Sequence, residues 1–423
     1  MAAAAIVAAF TLIAAWTVRL ALADHKFRQE TLPGTRGAIL LEPDSAAYYV
    51  RLSDMLQEST PAGSALALER AIALNPRDSQ SRIELGLRAE MAGDLAGAES
   101  SLLRAASVDS QYYPRWSLAS YYFRHGNSAK FWLWARKATE IAYGDLTPLF
   151  TLCWKISSDG PFIERSLDIR KADIEANYLT YLTSQKRVEP MTQAATRLLA
   201  WNREADTPVL LAACDRLIAD ECADQAIQIW NKLAELHRIH YGVLAPSLGT
   251  SLTDGDFTIS PMSRGFDWQL PSAAGVTALL DERPASLRIS FSGGQLENCD
   301  VLTQVLPVME SSNYELWFLY RTAGIASETG LEWRITNLNE SQILAQGESL
   351  ASESEKEGKL PFRTSAGGRL VRLTLTYQRA LGTARIEGLI VLRKLRLMQS
   401  PPPSHDSRHR ATRVAISDPA LPG

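Results

Sequence analysis

The sequence predicts a multidomain fold in which an array of paired α-helices precedes an antiparallel β-sandwich. Small and bulky residues repeat with a period of about 34 residues across 45–240. After Tyr241 the hydrophobic pattern changes from a helical to a two-residue period. The predicted domains are a membrane anchor or signal segment at 1–23, a linker at 24–44, helical repeats at 45–240, a sandwich at 249–397 and a disordered tail at 398–423.

Composition agrees with several folded domains. The chain has 423 residues, 46% of them hydrophobic, which is more than one core usually organises. Its 44 basic and 47 acidic residues give a formal net charge of -3. A charge so close to balance creates no global field that would attract nucleic acid, so nucleic acid is not expected as a partner.

The four cysteines are interpreted as small hydrophobic residues. Cys153, Cys214, Cys222 and Cys299 are scattered and form no CxxC pair. A disulfide between Cys214 and Cys222 remains the alternative in an oxidising compartment.

The N-terminal segment has the composition of a membrane-spanning helix. Residues 2–18 are almost wholly apolar, Arg19 interrupts the run and residues 20–23 resume it. The segment is long enough to span the hydrocarbon if Arg19 reaches its edge. Residues 21–23 also have the small-residue pattern of a cleavage site, but no Lys or Arg precedes the apolar run. We expect an anchor, with a cleaved signal or a soluble Ala-rich helix as alternatives.

Residues 79–111 carry a pattern that suits two closely packed helices. Small residues let helix axes approach, leucines fill the seam, and Gly followed by Asp ends one helix and caps the next. The residues concerned are Leu85, Gly86, Ala89, Gly93, Asp94, Ala98, Leu102 and Ala105. The spacing resembles the tetratricopeptide repeat, and related sets on either side imply an α-solenoid of about five units.

The resemblance also nominates a binding groove. In tetratricopeptide proteins the first helix of each unit lines a concave surface that holds protein segments. The corresponding positions are Ile83, Leu87, Glu90, Tyr113, Trp116, Ser120 and Phe123, with Leu179 and Leu211 further on. This lining is largely apolar and lacks a Lys and Arg clamp, so the protein partner is expected to present a hydrophobic segment. The aromatic run 114–134 is interpreted mainly as helix packing, with a ligand surface as the alternative.

Beyond a boundary near residue 245, alternating segments separated by Gly, Ser, Asn and Pro turns predict an antiparallel sandwich. The predicted strands are 257–262, 265–269, 285–292, 301–309, 314–322, 331–337, 343–348, 359–364, 370–377 and 385–397.

Three parts of this region, 265–268, 302–321 and 384–389, resemble jelly-roll carbohydrate-binding modules of the galactose-binding-like type. The resemblance implies a jelly-roll sandwich and a polysaccharide partner. The region lacks the dense Asp and Asn cluster of the calcium site that many such domains hold.

A sugar site needs an aromatic face and nearby polar groups. Alternation along 314–321 places one set of side chains on each face of the strand. The set Tyr314, Leu316, Phe318 and Tyr320 is predicted to be core, as are Trp268 and Trp333. The glycan-binding candidates are then Glu315, Trp317 and Arg321, with Glu332 and Arg334 on the following strand.

Orientation in the membrane is contested. Arg19, Lys26 and Arg28 follow the apolar run, which favours keeping the following chain in the cytoplasm. Polysaccharide is plentiful outside the membrane, so we nevertheless expect a membrane-anchored protein that faces the periplasm or exterior.

No GxSxG, phosphate-loop or GxGxxG motif is present, and His237 and His240 lack the context of a metal site. We therefore expect no catalysis, cofactor or metal. The leading hypothesis is a scaffold in exopolysaccharide or O-antigen production, with protein partners for the repeats and polysaccharide for the sandwich. One alternative is a glycan-processing enzyme with carboxylates among Asp267, Asp300, Glu332 and Glu387. Another is a purely structural adaptor.

Overall fold

A computed structural model describes residues 2–270, 273–338 and 342–400. The chain divides into two compact units, Met1–Tyr181 and Leu182–Gly423. Helices form the first unit, whereas the second begins with helices and continues into two antiparallel sheets. The predicted fold class, helical repeats followed by an antiparallel jelly-roll sandwich, is confirmed.

Antiparallel helix pairs build the first unit. The helices are α1 Ala2–Phe27, α2 Leu32–Leu41, α3 Ala46–Leu56, α4 Pro61–Leu74, α5 Ser79–Met91, α6 Leu95–Val108, α7 Tyr112–Arg124, α8 Ser128–Ile141, α9 Thr147–Ile156, α10 Gly160–Leu167 and α11 Ala172–Ser184, the last of which crosses into the second unit. Asp94 and Asn127 cap α6 and α8 by accepting backbone N–H bonds. The residue before each, Gly93 or Gly126, has a positive φ that suits the turn.

Small residues set the distance between α5 and α6. An added Cβ at Gly86 would lie 3.0 Å from Leu102 Cγ and 3.2 Å from the Ala98 carbonyl oxygen. Leu102 and Ala98 are fully buried. The sequence pattern in 79–111 therefore marks a real close approach of two helices.

The segment 24–44 was predicted to be a linker, but it contains the end of α1 and all of α2. Gly34 allows the two helices to pack, because a Cβ there would lie 2.6 Å from the Lys26 carbonyl oxygen. Ala23 and Ala38 are fully buried in this helix pair. Short-range patterns did not reveal it because α2 is short and contains two glycines.

The second unit contains α12 Val188–Ala200, α13 Thr207–Ala219 and α14 Ala223–Glu235 before the sandwich. The strands are β1 Val276–Glu282, β2 Ala285–Ser292, β3 Asn298–Pro307, β4 Asn313–Ala323, β5 Leu331–Asn337, β6 Ile343–Gln346, β7 Lys356–Arg363, β8 Leu370–Gln378 and β9 Glu387–Ser400. One sheet has the order β1-β2-β9-β4-β7 and the other β3-β8-β5-β6. Their facing side chains form one hydrophobic core.

Two predicted strands, 257–262 and 265–269, are irregular segments, of which only Gln269 makes a β-bridge, to Thr303. Trp268 from this region is nevertheless fully buried in the sandwich core, as expected. Strand β1 was not predicted, since it is an edge strand with little buried surface. Of the predicted disordered tail, residues 398–400 extend β9, and 401–423 lie outside the described residues.

Helices α13 and α14 pack on the segment that leads into the sandwich. The fully buried Trp230 ring lies 5.7 Å from Phe266 and 5.4 Å from Tyr241. The Gly265 N–H donates to Asp215 of α13. Arg369, which precedes β8, pairs with Asp224 of α14. The predicted boundary near 245 thus falls within a single compact unit.

Candidate binding surfaces

The groove residues predicted on α5 and α7 have different environments. Ile83 is fully buried, so its assignment to the groove is wrong, because it belongs to the core of the hairpin. Tyr113 is 46% exposed, and Leu87, Trp116 and Phe123 are partly exposed. These four remain available as an apolar and aromatic surface.

Glu90 and Ser120 belong to a polar network between the C-terminal ends of α5 and α7. Both Glu90 carboxylate oxygens accept bonds from Arg124 at 2.7 Å, and His125 Nε2 lies 2.9 Å from Oε1. Ser120 Oγ accepts a bond from Arg124 at 2.8 Å. Hydrogen bonding from Arg124 holds the pKa of Glu90 below its usual value. The network connects the two helices and balances the charge of Glu90 with that of Arg124.

A crevice of about 650 Å³ lies at the contact of α4 with the α5–α6 hairpin, and the sequence reasoning missed it. Small residues on all three helices leave this space open, with Arg88 and Glu69 adding charge. Its lining includes Pro61, Ala62, Ala65, Leu85, Ala89, Met91, Ala92 and Gly97. The signal in the sequence was the excess of Ala and Gly, which also serves helix packing and so does not by itself mark a cavity.

The sandwich places Trp317 on the outer face of the five-stranded sheet. The alternate side chains Tyr314, Leu316, Phe318 and Tyr320 are buried, which confirms the predicted core face. The half-buried Trp317 donates from Nε1 to Glu357 at 3.4 Å. Beside it, Lys359 Nζ lies 3.4 Å from Glu315 Oε1. This surface combines an aromatic ring with charged groups on two adjacent strands.

The five glycan candidates do not form one surface. Glu332 and Arg334 lie on β5, which belongs to the four-stranded sheet, whereas Trp317 lies on β4 in the other sheet. The inner side chain between them, Trp333, is fully buried, so Glu332 and Arg334 point away from Trp317. The expectation that Glu332 and Arg334 share a glycan surface with Trp317 was wrong, because β5 pairs with β6 and β8 rather than with β4.

Glu332 and Arg334 instead form a polar network on the outer face of the four-stranded sheet. Arg334 Nη2 donates to Glu332 at 3.1 Å and to Gln378 at 3.2 Å. Gln346 donates to Glu332 at 2.7 Å. These bonds connect β5, β6 and β8 and leave Glu332 largely covered.

The four carboxylates named for a glycan-processing enzyme do not form one cluster, and Glu387 lies on β9, in the other sheet from Asp300 and Glu332. Asp267 is 1% exposed, accepts bonds from three backbone N–H groups, and has a pKa raised by burial. Asp300 and Glu332 each pair in register with Thr376, one on either side of β8. Two strand spacings of about 4.8 Å place their backbones roughly 10 Å apart on one sheet face. This pair is the arrangement most relevant to the enzymatic alternative.

All four cysteines are free thiols, and burial raises the pKa of Cys153 and Cys214 above the ordinary value. Within residues 2–270, 273–338 and 342–400, no group of three or more His, Cys, Asp or Glu is placed to hold a metal ion.

Helix α1 exposes a continuous apolar surface. Residues Ala3–Phe27 have the length and hydropathy of a membrane span, and no residue in the most apolar window is buried within the chain. Phe10 and Leu12 are 69% and 72% exposed. One such helix near the N-terminus fits either a membrane anchor or a signal sequence.

No protein-family model matches the chain, and no curated protein matches it. Among solved structures it is similar to MamA, with 21% identity over 30% of this chain and 77% of MamA and a TM-score of 0.26. It is similar to YrrB, a tetratricopeptide repeat protein with an unusual peptide-binding site, at 8% identity over 50% and 95% of the two chains and a TM-score of 0.24. A structure described as "CBM4 structure and function" has 9% identity over 35% and 99% and a TM-score of 0.26. Similarities this low concern backbone architecture alone.

Proposed function

We propose that this protein is a non-catalytic scaffold, anchored in a membrane by α1, whose helical repeats hold a hydrophobic segment of a protein partner. One observation carries the proposal: an apolar helix with no buried residue in its most apolar window continues directly into the packed helix pairs. An exposed apolar helix of this length is costly in water and stable in hydrocarbon.

The surroundings of residues 21–23, which resemble a signal cleavage site, support an anchor rather than a cleaved signal. Ala23 is fully buried between α1 and α2. Cleavage after Ala23 would also remove Arg19, whose Nε donates to the Leu41 carbonyl at the end of α2. Membrane fractions washed with alkaline carbonate test this step. An anchor stays with the lipid and retains its N-terminal residues, whereas release, or a mature chain that begins at Asp24, contradicts it.

Partner binding is assigned to the surface that includes Leu87, Tyr113, Trp116 and Phe123, because these side chains are apolar or aromatic and partly exposed, and the nearby Glu90 is paired with Arg124. Selection of a displayed peptide library on the detergent-solubilised full chain should yield hydrophobic sequences. Trp116→Ala should then weaken peptide binding, whereas Trp201→Ala, at an exposed tryptophan that follows the last residue of α12, should not. Equal loss in both variants would contradict the assignment.

A second function, glycan binding by the sandwich, is favoured by Trp317 and its flanking charges. Sugar rings stack on exposed aromatic faces while polar groups bind their hydroxyls. A glycan array probed with the full chain should return polysaccharide ligands that Trp317→Ala loses and Leu319→Ala, on the same strand face, retains. Exopolysaccharide or O-antigen production is the setting we propose for this binding. Absence of any glycan ligand would leave the chain as a purely structural adaptor.

The enzymatic alternative is tested separately. If Asp300 and Glu332 act on glycans, the full chain should hydrolyse an array ligand and both Asp300→Asn and Glu332→Gln should abolish that activity. Hydrolysis by the parent chain that each of the two substitutions abolishes would overturn the non-catalytic part of the proposal.

A further inference from the structure

The end of α2 lies beside the point at which Arg19 interrupts the apolar run of α1. Arg19 Nε donates to the Leu41 carbonyl oxygen, and its guanidinium lies 5.7 Å from the centroid of the Trp16 ring. Further along, Gly34 contacts the Lys26 backbone. Helix α2 therefore runs back along α1 from Lys26 to Arg19, and its last turn reaches the level of Arg19 and Trp16.

The exposed apolar surface of α1 continues past this level. Leu20 and Leu22, which follow Arg19, are 36% and 49% exposed. Tryptophan and arginine are the side chains typical of the boundary between hydrocarbon and headgroups. If α1 is embedded, Trp16 and Arg19 mark this boundary, so the last turn of α2, which lies beside Arg19, is at the same depth.

That turn carries an exposed leucine. Leu40 is 83% exposed, although its neighbours Ala38 and Leu41 are buried or partly buried against the rest of the unit. A leucine so exposed gains free energy when acyl chains cover it. Glu42 and Asp44 follow directly, so attraction to anionic lipid does not explain a membrane contact here.

The geometry points to a second membrane contact: the last turn of α2, residues 39–41, is seated at the acyl and headgroup boundary of a phospholipid bilayer, with Leu40 inserted. This inference rests on the proposed anchor. It adds that the first helix pair is attached to the lipid at two points, which fixes its height at the membrane surface. Because the contact is apolar, it does not require anionic lipid.

Fluorescence quenching in phosphatidylcholine nanodiscs tests the inference. An environment-sensitive fluorescent amino acid replaces Phe10, Leu40 or Leu66 singly in the full chain, and the lipids carry a spin-label quencher either near the headgroup or in the middle of the acyl chain, since position 10 lies about 13 Å deeper than Arg19 along α1. All three positions are exposed, and Leu66, which is 65% exposed on α4, is the matched control. The label at position 10 should lose emission to the mid-chain quencher and the label at position 40 to the headgroup quencher, whereas the label at position 66 should retain its emission with both. Added phosphatidylserine should leave the quenching at position 40 unchanged.

The outcomes separate the two proposals. If the label at position 10 is quenched and the label at position 40 retains its emission as the control at position 66 does, the second contact is overturned and the anchor is left intact. Quenching at position 40 that depends on phosphatidylserine also overturns it, since the contact would be electrostatic. No quenching at position 10 contradicts the anchor itself, and the inference with it.

Discussion

Replacement of Gly265 by alanine should destabilise the second unit by two separable effects. The φ of Gly265 is +60°, and an added Cβ would lie 2.6 and 2.8 Å from two benzo carbons of Trp230. Trp230 is fully buried and packs on Phe266 and Tyr241, so its ring has little room to move. The left-handed conformation costs an L-residue about 1–2 kcal/mol. Carbon atoms pack best at about 3.5–4.0 Å, and overpacking of this kind typically costs about 1–3 kcal/mol more.

The expected loss for Gly265→Ala is therefore about 2–5 kcal/mol. Gly249→Ala is the matched control, because Gly249 has a φ of +84° and nothing within 4 Å of an added Cβ. It should lose only the backbone part, about 1–2 kcal/mol. A third variant, Trp230→Phe, removes the benzo carbons, so Gly265→Ala should cost less in that background than in the parent chain.

Hydrogen exchange of the detergent-solubilised full chain measures these free energies locally, which avoids treating the two units as a single transition. The amides of α14 and of residues 257–269 should lose protection in Gly265→Ala and keep most of it in Gly249→Ala. Equal losses in the two glycine variants, or no relief in the Trp230→Phe background, would refute the role assigned to the contact.

Three further predictions concern other parts of the chain. Leu102→Ala should lower the free energy of unfolding by about 2–5 kcal/mol because Leu102 is fully buried, whereas Leu103→Ala, at a 40% exposed neighbour, should cost far less, as measured by urea titration. The hydrogen bond from Arg124 lowers the pKa of Glu90 in the folded protein. The ion pair therefore stabilises the fold fully above the unfolded-state pKa of about 4.3, and this stabilisation is lost as the pH falls through the folded-state pKa. Glu90→Gln should therefore unfold more easily at neutral pH and show less acid destabilisation; an unchanged pH profile would contradict the role of the network. Trp317→Ala should abolish any glycan binding, whereas Leu319→Ala, which also truncates a half-buried side chain on the outer sheet face, should lower the melting temperature but retain binding; equal loss of binding in both variants would indicate a structural role instead.

The sequence by itself determined the local elements. Gly86, Ala98 and Leu102 could be assigned to a helix seam because their spacing follows from the pitch of the helix and the distance between axes. The buried face of β4 was determined in the same way, because alternation within one strand separates Tyr314 and Phe318 from Trp317. Both patterns depend on neighbours along the chain.

Only the tertiary structure decided which elements meet. The local pattern predicts the face of its strand on which Glu332 lies, but not whether that strand belongs to the same sheet as Trp317. Sheet membership depends on pairing between distant strands. Ile83 was placed in the groove because the helical period does not tell which neighbouring helix covers a face. The pairing of α2 with α1 was missed because α2 is short and contains two glycines. Periodicity identifies a buried face but not the partner that buries it. Arg19 meets Leu41, and Trp230 meets Gly265, through contacts between residues far apart in the sequence.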